Sequence, residues 1–166
     1  MLTATRLRKL LDYNQKTGRF TWRIDKFRQS GGGNAHKGDQ AGTINNGYRR
    51  ITIDGVIYRA SRLAILWMTG TTPKEVDHAN LNRADDRWIN LRIATRSQNR
   101  ANSPPQKGKT VPLKGVWWDN TKQKYCTQIT IDGYRIQLGR FDRAKDAHAA
   151  YIVAARKYFR KFARFG

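Results

Sequence analysis

A helix or strand that reached Ser103-Pro104-Pro105-Gln106-Lys107-Gly108-Lys109 would have to stop there. Proline lacks the backbone donor that both elements need, and it pushes the residue before it out of the helical region. Glycine and exposed charges then favour a short solvated linker. A chain of 166 residues is enough for one medium domain or two small ones, and the break favours two. We therefore read residues 1–102 as one domain, 103–113 as a linker and 114–166 as a second domain.

Before the break, Leu7, Leu10 and Leu11 lie at helical spacing and predict an amphipathic helix from Thr3 to Tyr13. Phe20, Trp22 and Ile24 alternate with polar residues and predict a strand. Gln29 to Gly42 is rich in glycine and reads as a flexible loop. Tyr48 to Ile53, Asp54-Gly55 and Val56 to Arg59 predict a hairpin with a tight turn. Ser61 to Thr69 reads as a helix closed by Gly70. Short strands follow at Glu75 to His78 and Leu91 to Ala94, with a polar loop between them. Thr95 and Gln98 have the spacing of a capping box that opens a last helix.

After the break, strands are predicted over Lys114 to Asp119, Lys124 to Ile131 and Tyr134 to Phe141, with a turn at Asp132-Gly133. Asp142 is placed to cap a helix running from Arg143 to about Phe159. Its apolar face should hold Ala147, Ala150, Tyr151, Ala154 and Tyr158. The fold class is therefore α+β in both halves. Ile51-Thr52-Ile53-Asp54-Gly55 recurs as Ile129 to Gly133, which is one hairpin solution used twice.

Charge narrows the function. Lys and Arg number 33 against 12 Asp and Glu, a formal net charge of +21. Residues 1–110 carry 21 basic and 8 acidic residues, and residues 111–166 carry 12 and 4. Both halves are thus suited to a polyanion, with affinity that falls steeply with salt. No apolar run is long enough for a membrane span, so a membrane partner is not expected. The first residues hold no apolar signal core, which predicts a cytoplasmic protein in a bacterial or phage-infected cell. Cys126 is the only cysteine, so an internal disulfide and a cysteine-paired zinc site are excluded.

Within this basic chain, Asp77-His78 precedes Asn90 and Asn99. Phosphodiester hydrolysis needs an activated water and neutralised phosphate charge, which one hard divalent cation and one base can supply. Asp77 offers an anionic oxygen and Asn99 a neutral one, a set that suits Mg²⁺ or Mn²⁺, one ion per site. His78 is suited to act as the base. Alternation along a strand turns His78 and Asp77 to opposite faces, so serving one phosphate requires a twist. Asn90 is suited to hydrogen-bonding the intervening loop. Arg83, Arg87, Arg92, Arg96 and Arg100 are expected as phosphate clamps.

Asp77-His78, Asn90-Leu91-Arg92 and Ser97-Gln98-Asn99 resemble the HNH endonuclease motif of phage and intron homing-type enzymes. The Tyr48-Arg49-Arg50-Ile51 hairpin and the Arg62-Leu63-Ala64 helix are similar to the same family. The resemblance covers roughly residues 5–102 and implies a ββα-metal fold. It also implies that Asp77 and Asn99 ligate metal, that His78 is the general base and that Asn90 holds the loop. Family members commonly have histidine where Ser61 stands, and Asp-Asn-Arg where this chain has Asp85-Asp86-Arg87.

Residues 114–162 resemble the ethylene-response-factor type of DNA-binding domain, through Gly115-Val116, Tyr125 to Ile129, Ile136 to Phe141 and the alanine-rich helix. The resemblance implies a three-stranded antiparallel sheet backed by one helix, its open face in the major groove. Alternation predicts that Val116, Trp118, Ile129, Ile131, Ile136 and Leu138 pack on the helix. Trp117, Gln128, Arg135 and Gln137 should face outward. Arg135 can read guanine and Gln137 adenine, while Lys114 and Lys122 are expected at phosphates. His148 is expected on the helix surface and His36 in solvent.

The sequence thus predicts a metal-dependent DNA endonuclease, monomer or homodimer, that acts on double-stranded DNA. One site per chain would nick a single strand. The competing reading is a DNA-binding regulator with an inactive HNH fold. An RNA-binding protein fits less well, because groove-reading residues outnumber a base-stacking platform.

Overall fold

The computed structural model describes residues 2–26, 34–106 and 108–165. The chain forms two compact units, Met1–Ile93 and Ala94–Gly166. None of the described helices is long and apolar enough to cross a membrane.

The first unit opens with α1 (Ala4–Leu10), capped by the Thr3 side chain, which accepts from the Arg6 N–H at 3.2 Å. The helix expected to reach Tyr13 ends earlier. From Leu11 the burial period changes to two, and β1 (Leu11–Asn14) forms, with Leu11 and Tyr13 inward. Asn14 Oδ1 accepts from the N–H groups of Lys16 and Thr17 at 3.0 and 3.1 Å. This turn returns the chain into β2 (Arg19–Trp22), antiparallel to β1. Ile24 lies past the strand and is exposed.

Part of the expected Gln29–Gly42 loop, residues 29–33, lies outside the described residues. The described remainder is tied back: Gln40 bridges Thr21 and Ala35 bridges Lys26. The hairpin has its expected bounds, β4 (Tyr48–Ile53) and β5 (Val56–Arg59), and a third strand, β3 (Thr43–Asn45), pairs with β4. The turn after β3 puts Gly47 at φ +78°, a conformation that glycine supplies cheaply. Next come α2 (Ala60–Thr69), closed by Gly70 in the left-handed region, and β6 (Glu75–His78). A single 3₁₀ turn (Trp88–Asn90) leads into β7 (Leu91–Ala94), which pairs with β6. Leu7, Leu11, Phe20, Ile51, Leu63 and Ile65 form the centre of this unit's core.

In the second unit, α3 (Arg96–Asn102) opens with the complete Thr95–Gln98 capping box. The sheet has the order β10-β9-β8, antiparallel throughout: β8 (Val116–Asp119), β9 (Lys124–Ile131) and β10 (Tyr134–Phe141). β8 starts two residues later than expected. Gly115 has φ +76°, and a Cβ there would lie 2.1 Å from the Tyr151 ring, so only glycine passes this point. Val111 is buried and Leu113 packs with Val116 and Ala147. Val111 and Leu113, at the end of the expected 103–113 linker, therefore supply apolar residues to the core, while Pro104, Gln106, Gly108 and Lys109 are exposed as expected.

The last helix is α4 (Ala144–Phe159). Its N-cap is Arg143, without a side-chain cap, and not Asp142. Asp142 is ion-paired with Lys124 instead. Its buried stripe is Ala147, Tyr151, Ala154, Ala155 and Phe159. Tyr158 is exposed and Ala150 half-buried, because steps of four, seven or eight, and twelve from Ala147 reach Phe159 and pass Tyr158 by. The buried face meets Ile129, and Ala101 of α3 joins the same cluster. Ile136, expected against the helix, is 37% exposed.

Candidate active site

β6 sets Asp77 and His78 side by side in sequence and on alternate faces. Both are buried, 3% and 5% exposed. They meet different partners. Arg92, on the neighbouring strand β7, donates to Asp77 Oδ2 from Nε at 2.9 Å and again from Nη2. A buried carboxylate without a counter-charge is costly, and the adjacent strand supplies the nearest one. Arg92, expected to clamp phosphate, is therefore turned onto Asp77.

His78 Nε2 lies 3.2 Å from Asp86 Oδ1, and Asp86 is itself only 2% exposed. With the proton on Nε2, the ring donates to the carboxylate and its lone pair sits on Nδ1. Asp86 Oδ2 is buried with no hydrogen-bond partner. Sequence reasoning did not place Asp86 in the site. The signal was present, since two consecutive acids interrupt a basic stretch where the resembled family has Asp-Asn.

Several contacts fix Asp86. Tyr13 Oη donates to its carbonyl at 2.6 Å, and the Trp88 N–H donates to the Gln15 carbonyl at 3.1 Å. Burial, with the charges of Asp86 and Asp85, pushes the Tyr13 hydroxyl above its usual range. The turn from β1 to β2 presses so closely on this loop that a Cβ on Gly18, at φ +72°, would stand 2.4 Å from the Arg87 nitrogen.

Asn90 spans the same loop from the other end. Its Oδ1 accepts from the Asn80 N–H at 2.9 Å, and its Nδ2 donates to the Asp85 carbonyl at 2.8 Å. The Asp85 carboxylate accepts from Asn80 Nδ2 at 2.6 Å and from Arg87 Nε and Nη2 at 2.7 and 2.6 Å. The hydrogen bond from Arg87 draws the Asp85 carboxyl down to about 2. Arg87 is thus engaged within the loop, although half of its side chain is exposed. Arg83 lies over the Tyr48 ring at 5.2 Å and Arg59 over it at 4.3 Å. The Tyr48 ring stands 6.1 Å from that of His78.

The remaining expected residues lie in the second unit. Asn99 is half-buried on α3, with Arg96 and Arg100 exposed on the same helix. Lys114, expected at a phosphate, is half-buried: its Nζ donates to the Ser103 carbonyl at 2.6 Å and to that of Ala101. Those are carbonyls at the end of α3, where a cation suits the helix dipole. Burial, with the nearby Arg164 charge, lowers the Lys114 ammonium to about 8. Lys122 is exposed in the turn after β8.

Trp117, Gln128, Arg135 and Gln137 lie on β8, β9 and β10, and Gln137 Nε2 donates to Gln128 Oε1 at 3.1 Å. The register of β10 shifts between Gln137 and Gly139, so that Arg140 pairs with Cys126, which in turn pairs with Trp117. Arg140 therefore joins the face of Trp117, a place that simple alternation did not give it. Two further histidines lie away from β6. His148 Nδ1 lies 3.1 Å from the Lys114 carbonyl and the ring stacks near Tyr151, so it is not a free surface group. His36 is exposed, 3.6 Å from Asp25.

The donors on β6 and its loop suit a hard divalent cation. Asp77 supplies one buried carboxylate, held by Arg92 on the neighbouring strand. The unpartnered Asp86 Oδ2 is a second buried anionic oxygen. Among the described residues, no three His, Cys, Asp or Glu side chains group to hold a metal. A site here would thus draw on few carboxylates, with amide oxygens and water completing it, as Mg²⁺ tolerates.

The HNH endonuclease family model matches residues 58–101, which takes in β6, the Asp86 loop, β7 and most of α3. Residues 58–101 are thus similar to an HNH endonuclease domain, which supports a nuclease-type function. HNH nucleases generally use a divalent metal. No curated protein matches the sequence.

Proposed function

We propose that the protein is a metal-dependent DNA endonuclease whose general base is His78. The observation that carries this reading is the buried His78–Asp86 pair beside Asp77 on one strand, inside the HNH match. Asp86 holds the imidazole by Nε2 and favours the tautomer whose Nδ1 takes a proton from water. When His78 becomes protonated, the same carboxylate stabilises the imidazolium. Asp77, with Asn99 as the family pattern implies, would hold Mg²⁺ or Mn²⁺. Such an ion supplies charge neutralisation at the phosphate and at the leaving oxygen. Asn90 keeps the loop at the length that carries Asp86 to His78. Arg83 stands exposed beside Tyr48 for phosphate.

The open sheet face of the second unit, with Trp117, Arg135, Gln137 and Arg140, selects the site on double-stranded DNA. One such centre per chain nicks one strand, and a dimer or two events cut both.

The engagement of Asp77 by Arg92 favours a second reading, a DNA-binding regulator that does not cut. Supercoiled plasmid incubated with Mg²⁺ or Mn²⁺, with and without chelator, separates the two. Relaxation that needs metal and falls by about 10²–10⁴-fold or more in His78→Ala supports the enzyme. Binding without relaxation, across both metals and several DNAs, establishes the regulator.

A further inference from the structure

The first unit has a cleft of about 510 Å³ bordered by β4, β5, the start of α2 and the entry to β6. Its walls carry Arg50, Arg59, Arg62 and Lys74 against one acid, Glu75. Four other arginines of this unit find carboxylates: Arg6 meets Asp54, Arg23 meets Asp12, Arg87 meets Asp85 and Arg92 meets Asp77. Among the described residues, none of the four cleft cations forms a salt bridge. Gathering like charges around a concave surface costs self-repulsion and focuses the field into it. A polyanion relieves that repulsion and gains further from released counterions.

The position of the cleft is as telling as its charge. Val76 lines it and lies two residues from His78 on the same face of β6, about 7 Å along the strand. Arg59, also in the wall, covers the ring of Tyr48, which neighbours His78. Tyr58 and Ile57 supply an apolar floor that suits sugar rings. We propose that this cleft binds the sugar–phosphate backbone of the substrate DNA strand, a few nucleotides from the phosphate attacked at His78. Arg50, Arg62 and Lys74 take the phosphates, and Arg59 links the cleft to the reacting centre through Tyr48. The inference rests on the endonuclease reading for its substrate, but its charge readout is independent of cutting.

The test compares full-length R50Q/R62Q/K74Q with K9Q/K16Q/K37Q, which removes the same charge from exposed positions of the unit outside the cleft. Binding of a DNA duplex is followed by anisotropy across salt concentrations, and nicking by KM and kcat. Three lost phosphate contacts should reduce the slope of log affinity against log salt by about 2.7. KM should rise by about tenfold or more while kcat stays within about twofold. The single variant Arg62→Gln, at an exposed position, should lower the slope by about 0.9 and covers any folding defect of the triple. Equal slopes and KM values in the cleft and control variants overturn the inference, even if the wild type cuts. If the wild type does not cut, the enzyme reading fails and the slopes alone decide the cleft.

Discussion

Charges in the two units are deployed in opposite ways. Around β6 the decisive groups face inward and are paired before any ligand arrives: Asp77 with Arg92, His78 with Asp86, Asp85 with Arg87. On the open sheet of the second unit, Arg135, Gln137 and Arg140 are exposed. Chemistry at a phosphate needs fixed donors whose orientation costs nothing at the moment of reaction. Reading a base edge needs side chains that reach into a groove. Substitutions should therefore damage stability and catalysis in the first region but preference alone in the second.

Arg92→Ala puts the largest strain on that contrast. It leaves Asp77 buried without its counter-charge and should cost about 3–5 kcal/mol in urea unfolding, with cleavage lost as well. A variant as stable as the wild type would show that the pair is not what holds β6 to β7. The second comparison comes from Arg135→Ala and Arg140→Ala. Each should change cleavage-site preference by about 1–3 kcal/mol per lost base contact, with kcat unaltered. A fall in kcat with unchanged preference would remove the division of labour.

The smallest expected effect concerns Lys114, which departs from both patterns because its half-buried ammonium donates to carbonyls at the end of α3. Its pKa is lowered from 10.5 to about 8 by burial, so the folded state holds its proton less tightly than the unfolded one. The cost of keeping it charged is fully present below pH 8. Stability should then rise as pH climbs from about 8 to 10.5, because the unfolded chain binds more protons there. Lys114→Met should flatten that part of the stability–pH curve. An identical slope in both proteins would place the ammonium in solvent.

Much of the local structure could be read from the residues. Asp54-Gly55 and Asp132-Gly133 placed two hairpins, because tight turns of this kind need residues that tolerate positive φ, and both pairs adopt it. The Thr95–Gln98 spacing placed the start of α3, since a capping box is a contact within one turn. The end of α1 was not legible. Leu10 and Leu11 fit either period, and pairing with β2 decided for a strand.

The site divides the same way. Asp77, His78 and Asn90 were visible as residue types at a spacing, which is a property of the chain. Asp86 became a partner of His78 only because the turn from β1 to β2, some seventy residues earlier, presses on its loop through Tyr13 and Gly18. The engagement of Arg92 and the turn of Arg140 onto the open face depend on strand pairing and on a bulge, and so does the border of the cationic cleft. Sequence alone determined which chemical groups are available and where the chain must turn, because those follow from local sterics and charge. Tertiary structure decided which group faces which, because partner choice is set by contacts between residues far apart along the chain.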